Sequence, residues 1–216
     1  MSRLMCAVLC LMLSPILFSQ EFVYSYKNKK ETKEEYYSLF QEGENMAVTF
    51  KNNNYESYSL AAPDGTGLAT SFNFLTRDLN MSAQRMGDKV AVSGNNGGKE
   101  VSRHVDSPLP WFTSFLHLPW FIKSDKKTME FCIFLPQQDS KLLEMKAVKE
   151  QEETIIIMGE ETHTVKVKVT LSGFLGPFWN SYFWYRTSDG IYVKSEESAT
   201  TPGNGKTYTE LIRVNK

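Results

Sequence analysis

Residues 163–171 read HTVKVKVTL, and this stretch carries the pattern that decides the predicted fold. Val165, Val167 and Val169 alternate with lysines and threonines, as in a β-strand that has one buried face and one solvated face. The same period of two recurs at other places in the chain, at residues 22–26, 46–50, 70–74, 79–83 and 129–135. Counted in this way, the chain contains about ten or eleven short strands.

Turn-forming residues separate these runs. Residues 63–65 (PDG), 94–98 (GNNGG) and 188–190 (SDG) are typical of tight turns and hairpins. Strands joined by such turns form an antiparallel meander, and a sheet of this size tends to curl or close on itself. The charged residues 27–35, KNKKETKEE, interrupt the pattern. They are interpreted as a solvated loop or as the start of an exposed helix.

One segment departs from the strand pattern. Residues 106–122 read DSPLPWFTSFLHLPWFI. Ser107 and Pro108 are favourable at a helix start, and Pro119 is expected to end the helix. Apolar side chains cover nearly all sides of this helix, which indicates that it is buried. The predicted fold is therefore mainly β, with one large curved antiparallel sheet (a half-open barrel) wrapped around a short buried helix.

The first twenty residues, MSRLMCAVLCLMLSPILFSQ, have the layout of a secretory signal peptide. Arg3 provides the positive start, an apolar run follows, and Ser19 is a small residue near a plausible cleavage site. A membrane anchor is the alternative, but the apolar residues 4–18 are shorter than the roughly 20 needed to span a bilayer. We predict a signal peptide at 1–20 and a single β-rich domain at 21–216 without a transmembrane segment. The predicted location is periplasmic or extracellular.

Charge and cysteine content narrow the class of protein. The chain carries 24 Lys and Arg against 25 Asp and Glu, a net charge of −1. Nucleic-acid-binding proteins need a basic surface, so no nucleic-acid partner is expected. Cys6 and Cys10 lie in the predicted signal peptide, which leaves Cys132 without a disulfide partner. Cys132 lies in an alternating apolar run and is expected to be a small buried side chain.

The residues that could carry chemistry form no recognisable motif. His104, His117 and His163 lack the close spacing of metal ligands. The sequence contains neither a nucleophile elbow nor a phosphate-binding loop. We therefore predict no cofactor, no metal and no enzymatic activity. An enzyme is the third hypothesis, and it would require His104, Asp106 and His163 to converge in one pocket.

Aromatic residues are concentrated in two clusters, at 111–121 and 174–185. Around residues 178–185 both faces of a strand are aromatic, so the outer face needs cover from the helix, a partner or a ligand. A packed core is the plainer interpretation. The other is an aromatic cavity, left where the helix does not fill the curved sheet. The predicted ligand-binding residues are Trp111, Phe112, Phe115, Trp120, Phe131, His163 and Phe183.

The order of elements in residues 165–214 resembles that of a known family. The valine strand is followed by Gly-Phe at 173–174, an aromatic strand end at 183–185 and an Asp-Gly turn leading into a new strand at 188–194. Together with Leu-Pro-Trp-Phe at 109–112, this resembles a family of uncharacterised exported bacterial proteins. Those proteins are similar in fold to the periplasmic lipoprotein carriers, whose half-closed sheet surrounds helices and an apolar cavity for acyl chains. The resemblance implies the same fold and a carrier function.

Two functions are weighed on these grounds. The first is an exported protein that binds a lipid or another hydrophobic ligand in the concave face of the sheet. The second is a structural or interaction protein of the cell envelope, whose aromatic face meets another protein. Exposure of Trp179 or Trp184 on a flat surface would favour the second function. The oligomeric state and the identity of the ligand are left open.

Overall fold

The computed structural model describes residues 19–112, 116, 118–135, 141–173, 176, 179–198 and 205–215. Within these residues the chain forms fifteen strands and one short helix. The strands are β1 (Ser19–Lys27), β2 (Thr32–Glu42), β3 (Asn45–Lys51), β4 (Tyr55–Ala61), β5 (Gly67–Phe74), β6 (Leu79–Met86), β7 (Lys89–Asn96), β8 (Lys99–Asp106), β9 (Trp111–Phe112), β10 (Thr128–Leu135), β11 (Lys141–Ile157), β12 (Glu160–Leu171), β13 (Asn180–Arg186), β14 (Tyr192–Ser198) and β15 (Lys206–Asn215). The helix is α1 (Pro119–Lys123).

All of these strands belong to one sheet, in the order β8-β7-β6-β5-β4-β3-β2-β1-β15-β14-β13-β12-β11-β10-β9. Chain neighbours from β1 to β8 and from β10 to β15 pair antiparallel, whereas β9 lies parallel to β10. Strand β1 also pairs with β15, so the first and last strands meet inside the sheet. The valine strand behaves as predicted, because Val165, Val167 and Val169 of β12 are buried. The lysines between them are only half-buried.

The two ends of the sheet curl toward each other and share a second core. Trp111 of β9 and Phe134 of β10 pack in one cluster with Phe72 of β5. Strand β5 is far from β9 and β10 in the strand order of the sheet. Arg85 of β6 ties the ends together, because its Nη2 donates to the Leu109 carbonyl at 3.0 Å. The predicted half-open barrel is therefore confirmed. The two sides of its opening are held together by aromatic contacts between segments that are remote in the chain.

The buried helix lies later in the chain than predicted. Pro119 begins α1, whereas the sequence pattern was expected to end a helix there. Proline is favourable in the first turn of a helix, since its missing N–H has no partner to lose at that position. Residues 111–112 form strand β9 instead, next to β10, where the Cys132 N–H donates to the Pro110 carbonyl at 2.7 Å. Phe121 of α1 is fully buried in the main core, so the sheet does wrap around a short helix.

The charged residues 27–35 are also corrected by the structure. Most of them belong to β1 and β2, with only a short turn between the strands. Glu35 of β2 is 8% exposed, and its carboxylate forms an ion pair with the Lys33 ammonium, with a nitrogen–oxygen distance of 3.3 Å. The Tyr37 hydroxyl donates to the same carboxylate at 3.4 Å. Charged side chains on one face of this strand thus satisfy one another, which local composition could not reveal. The fifteen strands of the described residues exceed the predicted ten or eleven, and part of the difference is that charged segments such as residues 32–35 also form strands.

Lys149 of β11 holds the end of α1. Its ammonium donates to the carbonyl oxygens of Ile122 at 2.9 Å and Ser124 at 2.5 Å, and lies 4.9 Å from the Phe121 ring centroid. Because hydrogen bonds to a charged group contribute about 1.5–3 kcal/mol, Lys149→Met is expected to lower the free energy of unfolding by about that amount. Chemical denaturation followed by circular dichroism measures it. Lys146→Met, at an exposed position on the same strand, is the control and should change stability by less than about 0.5 kcal/mol.

Candidate functional site

An apolar groove of about 290 Å³ lies between α1 and the turns that join β2 to β3 and β4 to β5. Its apolar walls come from strand ends, the β4–β5 turn and the helix start, namely Leu39, Phe40, Met46, Ala61, Ala62, Pro63, Pro119 and Trp120. The other lining residues are Gln20, Gln41, Glu44, Asn45 and Gly65. This arrangement, apolar walls with a few polar groups, is typical of a small-molecule site.

Trp120 forms one wall of the groove because α1 projects it toward the β4–β5 turn. Gly65 in that turn has φ +81°, a conformation that favours glycine. A Cβ atom at position 65 would lie 1.4 Å from the Trp120 Nε1 atom, so only glycine leaves room for the indole. The turn is held by two backbone hydrogen bonds, from Gly65 N–H to Ala62 O and from Ala62 N–H to Thr66 O, both 2.8 Å long. The position of the indole therefore depends on a rigid turn from another part of the chain.

Most of the predicted ligand-binding residues lie in the core. Trp111, Phe112, Phe131 and Phe183 are each at most 1% exposed and pack against other side chains. Trp120 lines the groove. Phe115 and His117 lie outside the described residues.

His163 has an exposed position, and the Thr154 hydroxyl lies 2.8 Å from its Nδ1. It lines a shallow cleft with Glu152, Glu153 and Thr187 near one end of the β11–β12 hairpin.

The three residues on which the enzyme hypothesis depends, His104, Asp106 and His163, do not converge in one pocket. His104 and Asp106 are exposed on β8, at the edge of the sheet, while His163 lies on β12, which is not a neighbouring strand. Within the described ranges, no three His, Cys, Asp or Glu side chains are grouped so that they could hold a metal ion. Cys132 is 4% exposed, and burial raises the pKa of its thiol to about 11. A thiol with that pKa is a poor nucleophile at neutral pH, in keeping with a packing role.

The outer aromatic face of β13 is covered by side chains of the neighbouring strands. The Lys166 ammonium lies 5.3 Å from the Trp184 ring centroid, and the Lys194 ammonium lies 5.9 Å from it on the other side. The Trp184 Nε1–H donates to Glu153 at 2.7 Å, and the residue is 9% exposed. Trp179 is half-buried and donates to the Ser198 carbonyl at 3.1 Å. Neither indole lies exposed on a flat surface, which was the condition that would favour an interaction protein.

The groove residues other than Trp120 were missed by the sequence interpretation. Leu39, Phe40 and Met46 sit beside the hairpin turn of β2 and β3, where they read as ordinary strand residues. Ala61 and Ala62 are small and carry no chemical signal of their own. The one usable signal was the Pro63-Asp64-Gly65 turn, which was interpreted only as punctuation.

A chain of hydrogen-bonded polar side chains runs along β14, from the buried Tyr192 and Ser195 to the half-buried Glu197. The Tyr192 hydroxyl donates to Ser195 Oγ at 2.8 Å, and the Ser195 hydroxyl donates to the Glu197 carboxylate at 2.9 Å. Burial raises the pKa of Glu197 above its ordinary value of 4.5, and the nearby Glu35 carboxylate also raises it, against the lowering effect of the Ser195 hydrogen bond. Because burial disfavours the charged form, ionisation of Glu197 lowers the stability of the folded protein.

Glu197→Gln is expected to raise the free energy of unfolding at pH 7. Since the folded state binds the Glu197 proton more tightly than the unfolded state, stability falls as pH rises from 4.5 through the raised pKa. The substitution removes this dependence while keeping an oxygen that can accept from Ser195. Denaturation across pH 4–8 measures the effect, with Glu100→Gln on the exposed edge strand as control. An unchanged pH profile in the Glu197 variant would contradict the assignment.

Fold and groove together define this protein as a half-open β-barrel made from one antiparallel sheet around a short helix, with an apolar groove beside that helix. It is similar to a beta-barrel-like protein of domain of unknown function DUF1849 from Brucella abortus, with a TM-score of 0.65, 11% identity and coverage of 91% of this chain and 97% of that one. The predicted resemblance is therefore confirmed at the level of fold.

Two further solved structures show weaker similarity. The hypothetical lipoprotein YmcC from Escherichia coli has a TM-score of 0.40 and 12% identity, over 91% of this chain and 87% of that one. A LolA superfamily protein from Nitrosomonas europaea has a TM-score of 0.27 and 7% identity, over 92% and 84%. No protein-family model matches the sequence, and no curated protein matches it either. In the part of the chain that the structure describes, no helix has the length and apolar character to cross a membrane.

Proposed function

We propose that this chain is an exported protein that binds a small hydrophobic ligand, such as a lipid chain, in the groove beside α1. The observation that carries the proposal is the groove itself, whose walls are apolar and include the indole of Trp120. Its volume of about 290 Å³ is close to the lower limit of the ~300–1000 Å³ range of small-molecule sites. Export is supported by the layout of residues 1–20.

Binding is tested with N-phenyl-1-naphthylamine, a neutral apolar dye that fluoresces in apolar surroundings. The dye is expected to bind the purified protein and to be displaced by decanol. Ala62→Leu fills the groove and is expected to weaken dye binding about tenfold, as for the loss of one apolar contact of about 1.4 kcal/mol. Ala91→Leu, at another half-buried position on β7, is the matched control and should bind as the parent does.

Two outcomes decide the proposal. Equal dye binding by both leucine variants and the parent would place the dye elsewhere and sink the assignment. Lipid extraction of freshly purified protein followed by mass spectrometry is an independent measurement, and a co-purified lipid that is absent from the Ala62→Leu variant supports the proposal.

Tryptophan fluorescence gives a further test of where the ligand binds. Trp120→Phe should abolish the ligand-induced change in tryptophan fluorescence, because the other three tryptophans lie outside the groove lining.

Export is tested separately. A culture that expresses the full chain is expected to release a protein shortened near residue 20 outside the cytoplasm, while a chain that begins at residue 21 stays inside. N-terminal mass spectrometry of both fractions identifies the cleavage point. Recovery of the full-length chain with the membrane fraction would count against cleavage.

A further inference from the structure

The polar groups of the groove carry information about the ligand beyond its apolar chain. Among the described residues that line it, Glu44 is the only one with an ionisable side chain. The remaining polar side chains of the predicted mature chain are the neutral amides of Gln41 and Asn45, because Gln20 belongs to the predicted signal peptide. We propose that the ligand is a single-chain amphiphile with a cationic head group, such as an alkylammonium. This inference rests on the proposed function and concerns the same groove.

The volume argues for one chain. A groove of about 290 Å³ is near the minimum found for small-molecule sites, and Pro119 and Trp120 close one side of it. An amphiphile with two or three acyl chains would have to leave most of its apolar surface in water, which is unfavourable. A single short chain instead lies along Leu39, Phe40 and Met46 and brings its head to the exposed turn between β2 and β3.

The charge at the turn argues for a cation. Glu44 is exposed at the tip of the β2–β3 hairpin, and within the described part of the chain it makes no ion pair. Its neighbour Glu42 is engaged differently, because its carboxylate accepts the Tyr58 hydroxyl at 2.7 Å. A head group that reaches Glu44 therefore meets a carboxylate that no described residue pairs with, and the amides of Gln41 and Asn45 beside it are further hydrogen-bond partners. An anionic head at the same place is repelled.

A cation near the groove, the Lys126 ammonium, opposes this preference. The Lys126 ammonium lies 5.8 Å from the Trp120 ring centroid, although Lys126 is not among the lining residues. If that ammonium received the head group, the preference would be for an anion. The two arrangements therefore predict opposite orders of affinity for probes that differ only in head-group charge.

The test compares decylamine, decanol and decanoate at pH 7, each as a competitor for the bound dye below its micelle concentration. Decylamine is expected to bind tightest and decanoate weakest. In water-like surroundings a contact between opposite charges contributes about 1 kcal/mol, so Glu44→Gln should reduce the advantage of decylamine over decanol about fivefold. Raising the ionic strength should reduce it too, since the charges are exposed. Lys126→Met is the matched control and should leave the order unchanged.

The outcomes separate the two proposals. If no probe displaces the dye, the binding function itself fails. If decanol and decanoate bind as tightly as decylamine, or if Glu44→Gln leaves their ratio unchanged, binding stands and the cationic head is overturned. If decanoate binds tightest and Lys126→Met removes that preference, the head group lies at Lys126 and the inference is wrong. Glu44 is exposed, so its substitution leaves the core intact and the variant is expected to fold.

Discussion

Replacing Phe121 with alanine is expected to lower the free energy of unfolding by about 3–5 kcal/mol. Phe121 is fully buried in the main core, where α1 meets strands from both halves of the sheet. The substitution removes the apolar side chain and leaves a cavity, because the surrounding strands are tied in ladders and collapse only partly. Urea denaturation followed by far-ultraviolet circular dichroism measures the change, provided that unfolding is a single cooperative transition.

Leu75→Ala is the control for this experiment. Leu75 is 52% exposed, so removing its side chain should change stability by less than about 0.5 kcal/mol. A loss of under about 1 kcal/mol in the Phe121 variant would show that α1 contributes little to the core. The strands alone would then stabilise the barrel, and the role of the short helix would be limited to forming one wall of the groove.

Gly65→Ala is expected to damage both the groove and the fold. The new Cβ would overlap the Trp120 indole, whose Nε1 would lie 1.4 Å away, so the indole must leave its place. Alanine at φ +81° also costs about 1–2 kcal/mol, and an off-rotamer indole adds about 0.5–1.5 kcal/mol. Binding of N-phenyl-1-naphthylamine should weaken about tenfold or more, because the main aromatic wall is displaced.

Gly87→Ala separates the two causes. Gly87 has φ +64° in the turn between β6 and β7, and a Cβ there would meet no atom within 4 Å. It should therefore show the backbone cost of about 1–2 kcal/mol without any loss of dye binding. Equal dye affinity in the two glycine variants would mean that Trp120 does not form the binding wall.

The candidate site was only partly accessible from the sequence. Aromatic content pointed to Trp111, Phe112, Phe131 and Phe183, and all four are buried in cores rather than placed around a groove. Aromatic side chains bury the largest apolar area, so they fill the centre of a fold first. Trp120 was identified by the same reasoning and does line the groove. What distinguishes it is its neighbour in space, Gly65, which is 55 positions away in the chain.

The sequence by itself determined that the chain forms an antiparallel sheet, and it identified which face of β12 is buried. Both follow from local physics, because successive side chains of a strand point to opposite faces and short glycine turns reverse its direction. Only the tertiary structure decided that β1 pairs with β15, that Pro119 begins the helix and that a groove opens beside Trp120. The strand pairing and the groove each join segments far apart in the chain, and a contact between remote segments leaves no periodic signature in either one. The free energy that selects them comes from closing the whole sheet around its core.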